Sequence, residues 1–208
     1  MFGEEYVNER LPRLDEVFRY SEEKWQENLS RLKNSEVKYL LIAEAPPWTN
    51  ENEPIKYFYA IHENDIHFRR STLLKAVWYA FESQKLKDIN DKEKALNEIG
   101  ENGFLLVDSL PFAMNFKIIN RGGEDYISLV KSCLEYLYGK LNFPGIKWSE
   151  NVKIALAFKK NAEALIEAIP AGIKLQNGST LYISKKLIVA NNANYPNSKM
   201  LKSVYGLS

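Results

Sequence analysis

Four short runs of apolar residues stand out from a chain that is otherwise patterned for helices. They are Val37–Ala43 (VKYLLIA), residues 103–108 (GFLLVD), residues 152–158 (VKIALAF) and residues 186–190 (KLIVA). Runs this short, cut off by polar or proline-containing loops, read as buried strands. Between them the apolar positions recur every three or four residues, the spacing of an amphipathic helix. Leu11, Leu14, Val17, Phe18, Trp25, Leu29 and Leu32 predict one or two helices over residues 9–32, and Asn34-Ser35 breaks the pattern before the first strand. Residues 71–81 read as a buried helix and residues 92–99 as a short one stopped by Gly100. A long amphipathic helix is predicted over residues 124–141, ended by Asn142-Phe143-Pro144-Gly145. Another follows over residues 161–169, and a short helix closes the chain. Strands alternating with helices predict an α/β domain with a mainly parallel, four-stranded central sheet and helices on both faces. No internal repeat, linker or low-complexity tract divides it, so residues 1–208 are expected to form one domain.

Composition narrows the class without choosing a function. With 45% hydrophobic and 26% charged residues, the chain can bury one sizeable core and has nothing of a disordered sequence. A net charge of +1 gives no global attraction for nucleic acid and leaves only a local basic groove for such a partner. The single cysteine, Cys133, cannot form an internal disulfide and is expected to be a buried structural thiol in a reducing cytoplasm. His62 and His67 lie five apart in a polar stretch with no third ligand in view, so no metal is expected. The opening segment, MFGEEYVNERLPRLDEVFRY, is charged and lacks the apolar region of a leader, and no apolar run approaches the ~18 residues of a membrane span. A cytoplasmic monomer with no membrane contact is expected.

The ends of the strands change the picture. The first run stops at Glu44-Ala45-Pro46-Pro47, where two prolines fix the backbone and remove two donors, and the aromatic cluster Tyr57-Phe58-Tyr59 follows. The second ends at Asp108, and the fourth ends in Asn191, Asn192 and Asn194. In a parallel sheet these ends share one edge, which is where open α/β sheets bind ligands. Carboxylates, amides and aromatic rings together suit a flat heterocycle, with rings to stack on it and polar groups to read its edge. A carboxylate also orients or deprotonates a water.

These segments resemble, in their order along residues 37–205, the motifs of the uracil-DNA glycosylase superfamily. Glu44-Ala45-Pro46-Pro47 with the downstream aromatics is similar to the family's first motif, which carries the water-handling residue and a base-stacking ring. Gly103-Phe104-Leu105-Leu106-Val107-Asp108 is similar to its second strand, whose terminal Asn reads the base. Tyr195-Pro196-Asn197-Ser198 stands in the place of its His-Pro-Ser loop. The resemblance implies a three-layer α/β/α sandwich and recognition of a nucleobase in single- or double-stranded DNA, with N-glycosidic hydrolysis and neither metal nor organic cofactor. In that scheme Glu44 handles the water, and Tyr195 and Asn197 contact the leaving base. Pro46, Phe58, Tyr59, Asp108, Asn191 and Asn194 form the base pocket, and Ser198, Lys199, Met200 and Leu201 meet the DNA. The chain departs from the pattern at Ala43, usually Gly, at Asp108 in place of Asn, and at Tyr195 in place of His. An ionised Asp only accepts hydrogen bonds, so it favours an exocyclic amine or a protonated ring over a carbonyl edge. A Tyr hydroxyl or an amide donates less strongly than a charged imidazole.

Plainer roles stand beside these. Glu44 and Asp108 also suit loop or helix caps, Phe58 and Tyr59 suit core packing, and the four Asn between residues 191 and 197 suit a turn-rich loop. Met200 and Leu201 suit anchors of the last helix, and Arg69 and Arg70 a solvated surface. Two rival functions remain open: a silent nucleic-acid or nucleobase-binding module, and an enzyme acting on a free nucleoside or nucleotide.

Overall fold

The structure is a computed structural model that describes residues 4–32, 35–62, 72–81, 89–114, 121–190 and 196–207. Helix α1 (Glu4–Leu29) passes through Pro12 and ends in a 3-10 turn, Ser30–Leu32. Strand β1 (Val37–Ala43) leads to the loop that carries Glu44 and the aromatic cluster. Helices α2 (Thr72–Phe81) and α3 (Ile89–Glu101) precede strand β2 (Phe104–Asp108). Then come α4 (Glu124–Ser132), α5 (Leu134–Leu141), β3 (Trp148–Leu156) and α6 (Lys159–Ala168). A small antiparallel hairpin of β4 (Ile173–Lys174) and β5 (Thr180–Leu181) and a closing helix α7 (Ser198–Tyr205) complete the chain. No helix among the described residues is long and apolar enough to cross a membrane.

The sheet is parallel, in the order β2-β1-β3. Its centre is β1, where Leu40, Leu41 and Ile42 are fully buried, and all five residues of β2 are buried as well. Such near-continuous apolar runs are what a parallel sheet requires when it is covered on both faces. The register aligns Leu40 with Leu105, Leu41 with Leu106 and Ala43 with Asp108. Pairing continues beyond the strands proper, since the Ser109 amide donates to the Ala43 carbonyl and the Leu110 amide to the Glu44 carbonyl. The outer edge of β2 is tied down by side chains. Trp25 Nε1 of α1 donates to the Leu106 carbonyl at 3.0 Å, and the Tyr59 hydroxyl accepts from the Leu106 amide at 2.6 Å.

Two sequence expectations change here. Residues 186–190 do not form a regular strand. Lys185–Leu187 coil into a 3-10 turn, and only Ile188 makes a parallel bridge, to Leu156 of β3. The apolar run is four residues long and preceded by two lysines whose ammonium groups need water, too little for a ladder. The long helix expected over residues 124–141 is broken at Cys133, whose φ of −97° and ψ of 4° leave helical geometry. The Cys133 thiol is unpaired and buried, and burial pushes its pKa up.

Gly103 fixes how β2 enters the sheet. It holds φ +82°, and its carbonyl accepts from both the Lys38 and Tyr39 amides. A Cβ added there would sit 2.4 Å from the Glu36 carbonyl oxygen. Gly103→Ala therefore combines left-handed backbone strain with a clash against main chain. It is expected to destabilise by at least about 2 kcal/mol in chemical denaturation.

Candidate functional site

Ala43 pairs with Asp108, and Glu44, one residue further on, stands opposite Ser109, so the two acids close adjacent strands with their side chains on opposite faces of the sheet. Both are buried, Glu44 at 8% and Asp108 at 4% relative exposure. They sit in different surroundings.

Glu44 is clamped on one oxygen. Its Oε1 accepts from Arg121 Nε at 2.5 Å and from the Tyr126 hydroxyl at 2.6 Å. Its Oε2 has no protein partner among the described residues. Arg121 lies just ahead of α4, and Tyr126 is in the first turn of that helix. Tyr126 is fully buried, and burial together with the Glu44 charge pushes its pKa well above the ordinary tyrosine range. It therefore stays a donor at any working pH. Asn161, buried in the first turn of α6, ties the clamp to the sheet. Its Oδ1 lies 3.3 Å from the Tyr126 hydroxyl, and its Nδ2 donates to Ser109 Oγ at 3.0 Å. Ser109 Oγ in turn donates to the Glu44 carbonyl at 3.1 Å. Buried polar groups cost stability unless satisfied, and here each member satisfies the next. The outcome is a fixed carboxylate with one oxygen committed and the other uncommitted.

Asp108 has the opposite character. Its Oδ2 is buried without a hydrogen-bond partner. Burial pushes its pKa up to about 7. The Lys140 charge and the Tyr57 hydroxyl pull it back, while Glu22 and Glu44 push it further up. Burial is the largest of these because desolvation penalises the ionised form first. At neutral pH the carboxyl is therefore divided between its two forms, and the protonated form donates as well as accepts. The accepting character expected of Asp108 belongs to its ionised form alone.

Behind Asp108 lies a second set of charges. Lys140 of α5 is 5% exposed, its Nζ 2.6 Å from Glu22 Oε2 of α1 and 3.6 Å from the centre of the Trp25 ring. The close approach to Glu22 is an ion pair without hydrogen-bond alignment. The Tyr136 hydroxyl donates to Glu22 Oε1 at 2.8 Å. Burial lowers the pKa of Lys140, against the raising influence of Glu22 and Asp108.

The other expected site residues are distributed unevenly. Pro46 is buried beside Glu44, and Pro47 bridges to Met114. Phe58 and Tyr59 are core residues. Their rings meet edge to face at 4.8 Å, and Phe58 also packs on Phe104. At 2% exposure, with its hydroxyl spent on β2, Tyr59 offers no open face for stacking. Asn197 caps α7, its Oδ1 accepting from the Lys199 and Met200 amides. That amide oxygen is committed to the helix and is not available to a ligand. Ser198 is half-buried, Lys199 and Met200 are exposed, and Leu201 is fully buried in the core, where it cannot meet DNA in this conformation. Asn191, Asn192, Asn194 and Tyr195 lie outside the described residues, as do His67, Arg69 and Arg70. His62 stacks on Tyr20 and bonds the Ile55 carbonyl through Nε2. Among the described residues no three His, Cys, Asp or Glu side chains gather as a metal site.

Sequence reasoning missed Arg121, Tyr126, Ser109, Asn161, Lys140 and Glu22. Ser109 directly follows Asp108, and Asn161 follows the end of β3, so attention to what lies after each strand would have found both. Nothing in the sequence marks the other four.

A hollow of about 370 Å³, lined by Leu29, Leu32, Ser35, Pro144, Ile146 and Lys147, lies at the opposite end of the sheet, where β1 and β3 begin. It contains none of the groups described above. Fold and site together define a mixed α/β protein whose parallel sheet presents two buried acids at adjacent strand ends. No family model, curated protein or solved structure matches the chain.

Proposed function

We propose that the chain recognises a nucleobase in DNA and hydrolyses its N-glycosidic bond. The observation that carries this reading is Glu44 at the end of β1, a buried carboxylate held on Oε1 by Arg121 and Tyr126 with Oε2 uncommitted among the described residues. A water held on Glu44 Oε2 attacks C1′ of the sugar and passes its proton to that oxygen. The C1′–N bond breaks, and its electron pair leaves with the base. A carboxylate beside C1′ also stabilises the positive charge that develops on the sugar. Asp108 is the acid proposed to read the polar edge of the extruded base; at 4% exposure with Oδ2 enclosed, it does so only in a conformation that opens its surroundings. Burial of Phe58 and Tyr59 in the core takes them out of the stacking role.

The same reading takes the architecture as a three-layer α/β/α sandwich, with a single bridge from Ile188 to Leu156 at the edge of the three-stranded sheet. Lys159 and Lys160 open α6 and Lys199 opens α7, with no acid in the first turn of either helix. Exposed lysines at those positions suit the phosphates on either side of a flipped nucleotide.

The test is strand cleavage after alkali treatment of labelled oligonucleotides carrying uracil, hypoxanthine, xanthine or a mismatched base. Both single and double strands are included. Excision of at least one base is expected. No excision by protein shown to be folded would overturn the reading for these bases and leave a binding module or a free-nucleoside enzyme.

A further inference from the structure

Arg121 is half used. Only its Nε meets Glu44, and Nη1 and Nη2 have no partner among the described residues. The side chain is 18% exposed, so it is shielded from bulk water without being sealed from it. A guanidinium presents parallel N–H groups along each edge and takes planar oxyanions in a two-pronged grip that an ammonium cannot reproduce. With Nε on Oε1, and Oε1 held by Tyr126, the guanidinium is tethered beside Glu44 before any ligand arrives. The uncommitted edge is therefore a preorganised anion receptor beside a catalytic-type carboxylate.

We propose that this Nη1/Nη2 edge of Arg121 binds the anionic form of a nucleobase, the species released when an N-glycosidic bond breaks with its electron pair on the base. The identity of the anion rests on the function proposed above, whereas the receptor geometry does not. Glycosidic cleavage puts negative charge on a ring whose exocyclic oxygens lie in its plane, the shape a guanidinium edge fits. Glu44 holds the arginine in place at some electrostatic cost, because its own charge opposes a second anion nearby. Removing that charge while keeping the shape should therefore strengthen anion binding even as it ends hydrolysis.

Equilibrium binding tests this without requiring turnover. Titration calorimetry on the full chain would compare 5-nitrouracil, an anion at neutral pH, with neutral uracil and with inorganic phosphate. The expected result is a preference for the anionic base over uracil of about tenfold or more, lost in Arg121→Gln. Glu44→Gln is expected to bind 5-nitrouracil more tightly than the native chain, which a merely structural role for Arg121 does not give. Melting curves confirm the folded state of each variant. Should Arg121→Gln not fold, Arg121→Lys decides, because the charge is kept and the two-pronged grip is lost. A drop of about threefold or more in affinity for the anion supports the receptor, and native affinity overturns it. The proposal also fails if the native chain shows no preference for the anionic base, if the preference survives in Arg121→Gln, or if phosphate binds better than the base. Excision is scored separately. Anion binding without excision removes the glycosylase reading alone, and excision without anion selectivity removes only the role given to Arg121.

Discussion

Asp108→Asn is expected to stabilise the protein above neutral pH by roughly 2–4 kcal/mol. The pKa of Asp108 is about 7 in the folded chain against an ordinary value of 3.8. A folded-state pKa above the unfolded one means that the native state binds the proton more tightly. Stability is then greatest below about pH 4, falls as pH rises toward 7, and is level beyond. The difference of about three pH units corresponds to about 4 kcal/mol of unfavourable burial of the charge. Asn keeps the shape and removes the charge, but its amide protons need partners in a buried place, which takes back a part. The groups facing Asp108 set the background: Glu22 from α1, Lys140 from α5, Tyr57 from the loop after β1, and Glu44 at the neighbouring strand end. Urea denaturation at pH 5 and pH 8 checks the sign. The native chain should lose stability between the two, and the variant should lose much less. Equal slopes would show that Asp108 is ionised in the fold at both pH values.

Glu44→Gln is expected to reduce excision by about 10²–10⁴-fold, the contribution typical of a positioned acid–base group. The amide retains the size of the side chain and an oxygen for Arg121 and Tyr126, but it neither takes a proton from water nor offsets positive charge on the sugar. It also leaves a shielded Arg121 without its counter-charge. A loss of about 2 kcal/mol in stability is expected alongside, less than for a fully buried pair because Arg121 retains some contact with solvent. Single-turnover rates measured well below the melting temperature of the variant separate the two effects. A rate within a factor of about three of the native one would remove Glu44 from the chemistry.

Much of the fold is legible in the sequence because buried parallel strands carry their own signature. Val37–Ala43 and Phe104–Asp108 are almost uninterrupted apolar runs, and each stops at an acid. Residues 186–190 look like another such run but contain only four apolar positions after two lysines, and a local 3-10 turn wins. The break at Cys133 leaves no mark on the apolar periodicity, so one helix is read where there are two. For the site, position along a strand identifies Glu44 and Asp108. The partners of Glu44 come from far along the chain, Arg121 at 77 residues just ahead of α4 and Tyr126 at 82 residues within it, and the packing of α4 against α6 helps to bring them near. Lys140 and Glu22 look like solvated charges on amphipathic helices, and the same spacing serves a buried pair. The upward push on the Asp108 pKa is hidden for a related reason, since the depth of burial is a property of the packed molecule.

Glu44, held on Oε1 and open on Oε2, is proposed to perform hydrolysis at a nucleobase. The most direct measurement is single-turnover release of base from a labelled oligonucleotide by the native chain and by Glu44→Gln, side by side at one temperature and pH. Release by the native chain and a loss of about 100-fold or more in the variant, with folding intact, are expected. Equal release by both proteins, or none by the native chain from any modified base, would contradict the proposal.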